Sequence, residues 1–135
     1  QSIPLLNTSC RDVMGALEIL ARIQTDFRVS YRKALEELLA FDKPLIVCTI
    51  YEEVPGLGQA LKTALSLFNE VILSEASRAQ VPILDLRHLC RDPKDYSAIS
   101  PIEPSSVGGQ KIAAALARIL KQWDPVTPCG RLYVQ

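Results

Sequence analysis

The sequence predicts an α/β domain built on a parallel sheet. Short, β-branched apolar runs alternate with longer amphipathic stretches of helical period, in the order strand, helix, strand, helix. That order packs helices against parallel strands through right-handed crossovers. The chain's 135 residues, 48% hydrophobic and 22% charged, suit one globular domain with a core of its own.

Residues 3–6 read as a short strand that Pro4 weakens. From Asp12 the pattern turns helical: Val13, Leu17 and Leu20 share a face, flanked by Ala16 and Ile23. Thr25 or Asp26 is placed to cap a second helix, whose face is Phe27, Tyr31, Leu35, Leu38 and Leu39. Pro44 disfavours helix at Lys43 and ends it. Residues 45–50 (LIVCTI) form a continuous apolar run, the mark of a strand buried on both faces. A loop with Pro55-Gly56 leads into a helix over about residues 59–79, with Leu61, Leu65, Phe68 and Ile72 inward. Residues 81–86 (VPILDL) are the next strand, and residues 87–106 a polar loop with three prolines. Ser105 or Ser106 caps the last helix, residues 107–121, whose stripe is Ile112, Leu116, Ile119 and Leu120. The tail, residues 123–135, either wraps the surface or pairs as an edge, with Arg131 to Val134 as the pairing stretch.

Acidic and basic residues balance at 15 each, and no basic cluster with interleaved aromatics occurs, which argues against nucleic acid as a partner. Cys10, Cys48, Cys90 and Cys129 are widely spaced, and His88 is the lone histidine, so neither a zinc site nor another cofactor is expected. Cys48 reads as a buried free thiol, and a cysteine spacing unlike that of a secreted disulfide framework favours a reducing compartment. No stretch approaches the ~18 apolar residues of a membrane span, and the start lacks a signal-peptide pattern. The expected location is cytoplasmic.

In parallel sheets, ligands gather beyond the carboxyl ends of the strands. Here those ends are Tyr51-Glu52 and Arg87-His88, with the loop before the last helix at the same rim. Each candidate there has two readings. His88 is a displaced general base or a rim histidine with a structural hydrogen bond. Glu103 and Asp95 are a carboxylate pair or loop acids near a helix N-terminus. Ser105 and Ser106 are nucleophiles or N-caps. Asp85 is catalytic or caps the following turn. Gly108-Gly109 approaches a phosphate or lets a helix pack closely on the sheet. Cys10 beside Arg11 is an activated nucleophile or an ordinary thiol.

The stretch DYSAISPIEPSSVGGQKIAAAL, residues 95–116, resembles the last conserved block of SGNH (GDSL-type) hydrolases: Asp, two residues, His, Pro, Ser or Thr, then a glycine and an amphipathic helix. FNEVILSEASRAQVPILDLR and LIVCTIY resemble the elements that precede it, and DVMGALEIL resembles the stretch after the family's Gly-x-Asn-Asp block. The resemblance covers about residues 12–122 of a single domain, residues 1–135. It implies a flavodoxin-like three-layer sandwich with a parallel sheet, and hydrolysis of a small ester by a serine nucleophile, a His and an Asp, with a backbone amide, a Gly and an Asn stabilising the oxyanion.

Position by position, the match is partial. No Gly-Asp-Ser tripeptide exists in the chain. Asp12 matches the last residue of Gly-x-Asn-Asp, but Ser9 stands at the Gly and Arg11 at the oxyanion Asn. In the last block Glu103 occupies the His position and Ser100 the Asp position, while Pro104 and Ser105 match. Glu is no simple substitute for His, since its ordinary pKa is about 4.3 against about 6.5. The catalytic candidates are therefore Glu103, His88 and Asp12, and the substrate-rim candidates Arg11, Tyr51, Ser100 and Ser105. The first strand and the nucleophile would precede residue 1, so a sandwich truncated at its N-terminal side is expected, as is a homo-oligomer that covers the exposed edge. Three functions remain open: an esterase-derived domain without its standard catalytic set, an active esterase with non-standard residues, and a non-catalytic interaction module.

Overall fold

A computed structural model describes Ser9, residues 12–122 and residues 131–134. Their order is α1 (Val13–Leu39), β1 (Val47–Cys48), α2 (Gln59–Arg78), β2 (Ile83–Leu84), α3 (Leu86–Leu89), a 3-10 turn at Pro93–Asp95, α4 (Ser106–Gln122) and β3 (Leu132–Tyr133). The expected strand at residues 3–6 lies outside the described residues.

Two helices were expected before residue 40; one forms. Asp12 caps it, its carboxylate accepting from the Gly15 amide at 2.7 Å. Thr25 caps nothing: its hydroxyl donates to the Ala21 carbonyl at 2.9 Å, a bond that fits inside a continuous helix. The chain leaves α1 through Asp42 and α2 through Gln80, both at positive φ, so neither exit relies on glycine. Ser105 caps α4, its Oγ accepting from the Val107 and Gly108 amides at 3.1 and 3.2 Å.

The strands pair in the order β1-β2-β3, all parallel, with Val47 beside Ile83 and Ile83 beside Leu132. The tail thus supplies an edge strand. One face of the sheet, through Val47 and Ile83, packs on Leu35 of α1 and Ala76 of α2. The other, through Cys48, Leu84 and Tyr133, packs on Ala115 and Ile119 of α4.

A flavodoxin-like three-layer sandwich does not form. Helix accounts for 61% of the described chain. Each strand has two paired residues, roughly 7 Å of sheet, against roughly 40 Å for a 27-residue helix, so α1 packs mainly on α2. Topology differs as well. Helices α2 and α4 lie on opposite faces although the strand order runs on in one direction. A doubly wound sheet changes face by reversing strand order, and that reversal opens its ligand crevice. Among the described strands there is no reversal.

Polar bonds join α1 to α2. Of α1's 27 residues only Leu35 is buried. The fully buried Glu75 carboxylate takes Arg32 at 2.8 Å, Arg28 at 3.0 Å and Arg78 at 3.0 Å. Phe27 meets Phe68 edge-on beside it, with centroids 5.0 Å apart. The Arg32 hydrogen bonds, supported by Arg28 and Arg78 and opposed by burial, hold Glu75 down at about 2 against an ordinary 4.5. A depressed carboxylate stabilises the fold above its unfolded pKa, and that stability is lost as pH falls through the folded value. Urea unfolding should therefore show stability draining between about pH 4.5 and about pH 2. Glu75→Gln should be less stable at neutral pH and show a shallower slope across that window; parallel slopes would contradict the assignment.

Gly108 sets how closely α4 approaches the Pro93–Asp95 turn. A Cβ there would run into the Asp95 carbonyl oxygen, whereas one at Gly109 would have nothing within 4 Å. Gly108→Ala should cost about 1–3 kcal/mol by overpacking. Gly109→Ala should gain roughly 0.5–1 kcal/mol from helix propensity. Thermal melts of the two variants shifting in opposite directions would check both.

Candidate functional site

The rim beyond the carboxyl ends of β1 and β2 is built around Asp85, which is 1% exposed. Its carboxylate accepts from the Thr49 hydroxyl at 2.8 Å and from Arg87 through Nε at 2.8 Å, Nη2 at 2.6 Å and the backbone amide at 3.1 Å. Thr49 Oγ1 in turn accepts from the Leu86 amide at 2.9 Å. Burial works to raise the Asp85 carboxyl, but the Arg87 guanidinium and the Thr49 hydroxyl outweigh it and leave it below its ordinary value. Asp85 thus caps α3 and locks β1 to β2. Its lone pairs are used, so it is no free general base.

His88 sits half-exposed on the same turn, its Nε2 3.9 Å from Asp85 Oδ2, beyond hydrogen-bond reach. Asp85 therefore does not orient His88 as a triad acid orients its base. Tyr51 donates its hydroxyl to the Ile102 carbonyl at 2.5 Å and stacks edge-on with Tyr96 at 5.2 Å. Burial, with Cys90 and Glu103 nearby, raises the Tyr51 phenol. Tyr51 holds the loop that carries Ile99 and Ile102.

In that loop Glu103 is exposed, and its backbone closes the turn: its amide donates to Ser100 and its carbonyl accepts from Ser97, both at 2.9 Å. Ser100 donates its amide to Ser97 Oγ at 3.4 Å. Ser105 gives its hydroxyl proton to the Lys94 carbonyl at 2.6 Å while capping α4, which leaves it unsuited to nucleophilic attack. Asp12 is spent on the cap of α1 and borders an open pocket of about 400 Å³ with Ser9, Met14, Glu18, Ile19 and Arg22. Arg11 and Cys10 lie outside the described residues.

Among the described residues no hydrogen bond or ion pair joins Asp12, His88 and Glu103 to one another, and no group of three His, Cys, Asp or Glu side chains is placed to hold a metal. Asp95 is no partner for Glu103. It is fully buried beneath Lys111, whose ammonium reaches Oδ1 at 2.6 Å and Oδ2 at 2.8 Å. Burial raises the thiols of Cys48 and Cys90, the opposite of nucleophile activation. An open groove of about 510 Å³ runs between α2 and β3, with Leu73, Ile83 and Leu132 among its lining and Arg87 at one side; none of the catalytic candidates lines it.

Sequence reasoning missed Thr49, Asn69 and Lys111. Thr49 is the polar exception inside LIVCTI, a signal that was present. Asn69 and Lys111 sit in amphipathic helices, where a polar residue attracts no notice.

Arg87→Ala should leave Asp85 buried and underbonded and cost about 1.5–3 kcal/mol, whereas His88→Ala should stay within about 0.5 kcal/mol. Chemical denaturation of both variants checks the contrast. No family model, curated protein or solved structure matches the chain.

Proposed function

We propose that this chain is a non-catalytic interaction domain, related in sequence to SGNH (GDSL-type) hydrolases and without their working set. The observation that carries this reading is the fate of the acid at the rim: Thr49 and Arg87 consume Asp85, and His88 stays 3.9 Å away. Glu103, at the position that resembles the family histidine's, is exposed, and its backbone closes the turn of its loop.

The apolar surface supports binding as the role. More large apolar side chains are exposed than buried among the described residues. Ile99 and Ile102 are 98% and 75% exposed on a loop whose shape is fixed by Tyr51, Ser97 and Ser100. Rigid apolar anchors of this kind bind at low entropic cost. A second copy of the chain is the partner this reading assigns. No helix is long and apolar enough to cross a membrane. The reading also places the chain in the cytoplasm, where the free Cys48 and Cys90 would stay reduced.

The half-exposed His88 at the rim keeps open a second reading, an esterase with non-standard residues. Hydrolysis of a short-chain aryl ester separates the two. The chain, His88→Ala and Glu103→Ala should all match buffer; turnover abolished by one substitution would establish the second reading. Sedimentation velocity should show a dimer or larger species that Ile99→Glu with Ile102→Glu returns to monomer. A concentration-independent monomer would remove the second copy as partner.

A further inference from the structure

Helix α1 is tied to the other elements along one seam. It is 27 residues long and buries only Leu35, whereas α2 buries Asn69, Val71, Ile72, Glu75 and Ala76 in 20. Among the described residues, the side-chain hydrogen bonds that leave α1 all run to α2. Gln24 donates to the Leu67 carbonyl, Arg28 to Glu70, Ser74 and Glu75, and Arg32 to Glu75. The cluster on the far face of the sheet, Leu84, Leu86, Ala115 and Ile119, contains no α1 residue. The pairing of β1, β2 and β3 is likewise made without it. What α1 gives the sheet is Leu35, with Tyr31 half-buried beside it, against Val47, Ala76 and Ile83.

Three features allow this seam to part. The first is that Glu75 does not become an orphan. Arg78, three residues on in α2, stands with Nε at 3.1 Å and Nη2 at 3.0 Å from the same carboxylate. When Arg28 and Arg32 leave, Glu75 keeps that partner and gains water, so the usual penalty for breaking a buried ion pair is softened. The second is a cost built into the closed form. The Tyr31 hydroxyl is buried without a partner among the described residues, and water would bond it once α1 lifts. The third is the exit from the helix. Asp42 turns the chain at a φ of 51°, and Pro44 keeps Lys43 out of the helix. From Lys43 to Ile46 the backbone amides make no hydrogen bond among the described residues.

We propose that α1 is a strap that opens as one unit about residues 43–46, with Glu75 as its latch, while the sheet, α2 and α4 stay folded. The open form bares Val47, Ala76 and Ile83, so the latch sets how often that face of the sheet is reached by solvent or by a partner. A helix with few buried apolar contacts for its length belongs to the low-stability end of a fold, and α1 is that helix here. Its ties are charged and polar, and water replaces such bonds more readily than it replaces packing. The device stands apart from the reading of the rim, because Asp85, His88 and the loop of Ile99 and Ile102 take no part in it.

Native-state amide exchange, followed by NMR on the full chain at neutral pH, tests it. The amides from Gln24 to Leu35 should share one opening and be about tenfold or more less protected than those of Ala115 to Ile119. Glu75→Gln should lower α1 protection about tenfold. Tyr31→Phe keeps the ring, removes the orphaned hydroxyl and should raise α1 protection severalfold. Ile119→Val weakens a contact that α1 opening does not break, so α4 protection should fall severalfold while α1 protection holds. Should Glu75→Gln fail to fold, Arg32→Gln removes one of the two α1 arginines and should still lower α1 protection severalfold. Three results would overturn the proposal. If Ile119→Val lowers α1 and α4 alike, α1 opens only with the whole molecule. Protection that climbs residue by residue from Val13 towards Leu35 would mean that the helix frays from its end. Unchanged α1 protection in both latch variants would mean that Glu75 does not hold the strap.

Discussion

The fold depends on buried carboxylates held by basic side chains. Glu75, Asp85 and Asp95 are each about 1% exposed or less, and each ties together segments that apolar packing alone holds weakly. Glu75 gathers Arg28 and Arg32 of α1 onto α2. Asp85 links β1, through Thr49, to α3. Asp95 receives Lys111 of α4 and, through its backbone carbonyl, the Ser105 amide. An unpaired buried carboxylate costs several kcal/mol, so these pairings fix geometry more strictly than interchangeable apolar contacts would. A small sheet with two short clusters of buried apolar residues needs that strictness.

The same economy decides what the rim can do. A catalytic acid must share its proton or orient a base, and for that it needs a free lone pair aimed at the partner. Asp85 has the burial and position of such a residue, but Arg87, two residues on, reaches back around it and takes both oxygens. The chemistry of the strand ends has gone into joining secondary structure. Ser105 is used in the same way: its hydroxyl donates to the Lys94 carbonyl and accepts from the first turn of α4.

Much of the element order was legible in the sequence, because apolar periodicity reports burial directly. The helices over Gln59–Arg78 and Ser106–Gln122 follow their stripes, and residues 81–86 are as buried as their composition implies. Thr25 misled because a residue that can cap a helix can also bond back to the preceding turn, and local sequence does not choose between them. The sheet misled for a different reason. Alternating strands and helices specify parallel pairing but not how many residues pair, nor on which face each helix falls. Those depend on long-range contacts such as Leu84 with Ala115 and Ile119, which no window of sequence contains. Of the site, Glu103 and His88 were visible as residue types; their exposure was not.

Asn69 shows how far a single polar side chain can replace an element of structure. Its amide presents a donor and an acceptor in the spacing of a peptide group, so it closes the ladder at Ile50 and also donates to Glu52 at 3.0 Å. Burying an amide is costly unless all its bonds are made, and at Asn69 they are made to backbone and carboxylate together. Two residues earlier, at Cys48, no described side chain plays that part, although the backbone groups are the same. The difference lies in how the edge is finished: at Ile50 a residue of α2 reaches the strand, and at Cys48 no described residue does. An edge closed along its whole length would be a stable end to a sheet, and one open along its whole length would invite indiscriminate pairing. Between Pro44 and Asn69 the outward backbone groups of Ile46 and Cys48 make no hydrogen bond among the described residues, so the closure stops where the reach of Asn69 stops.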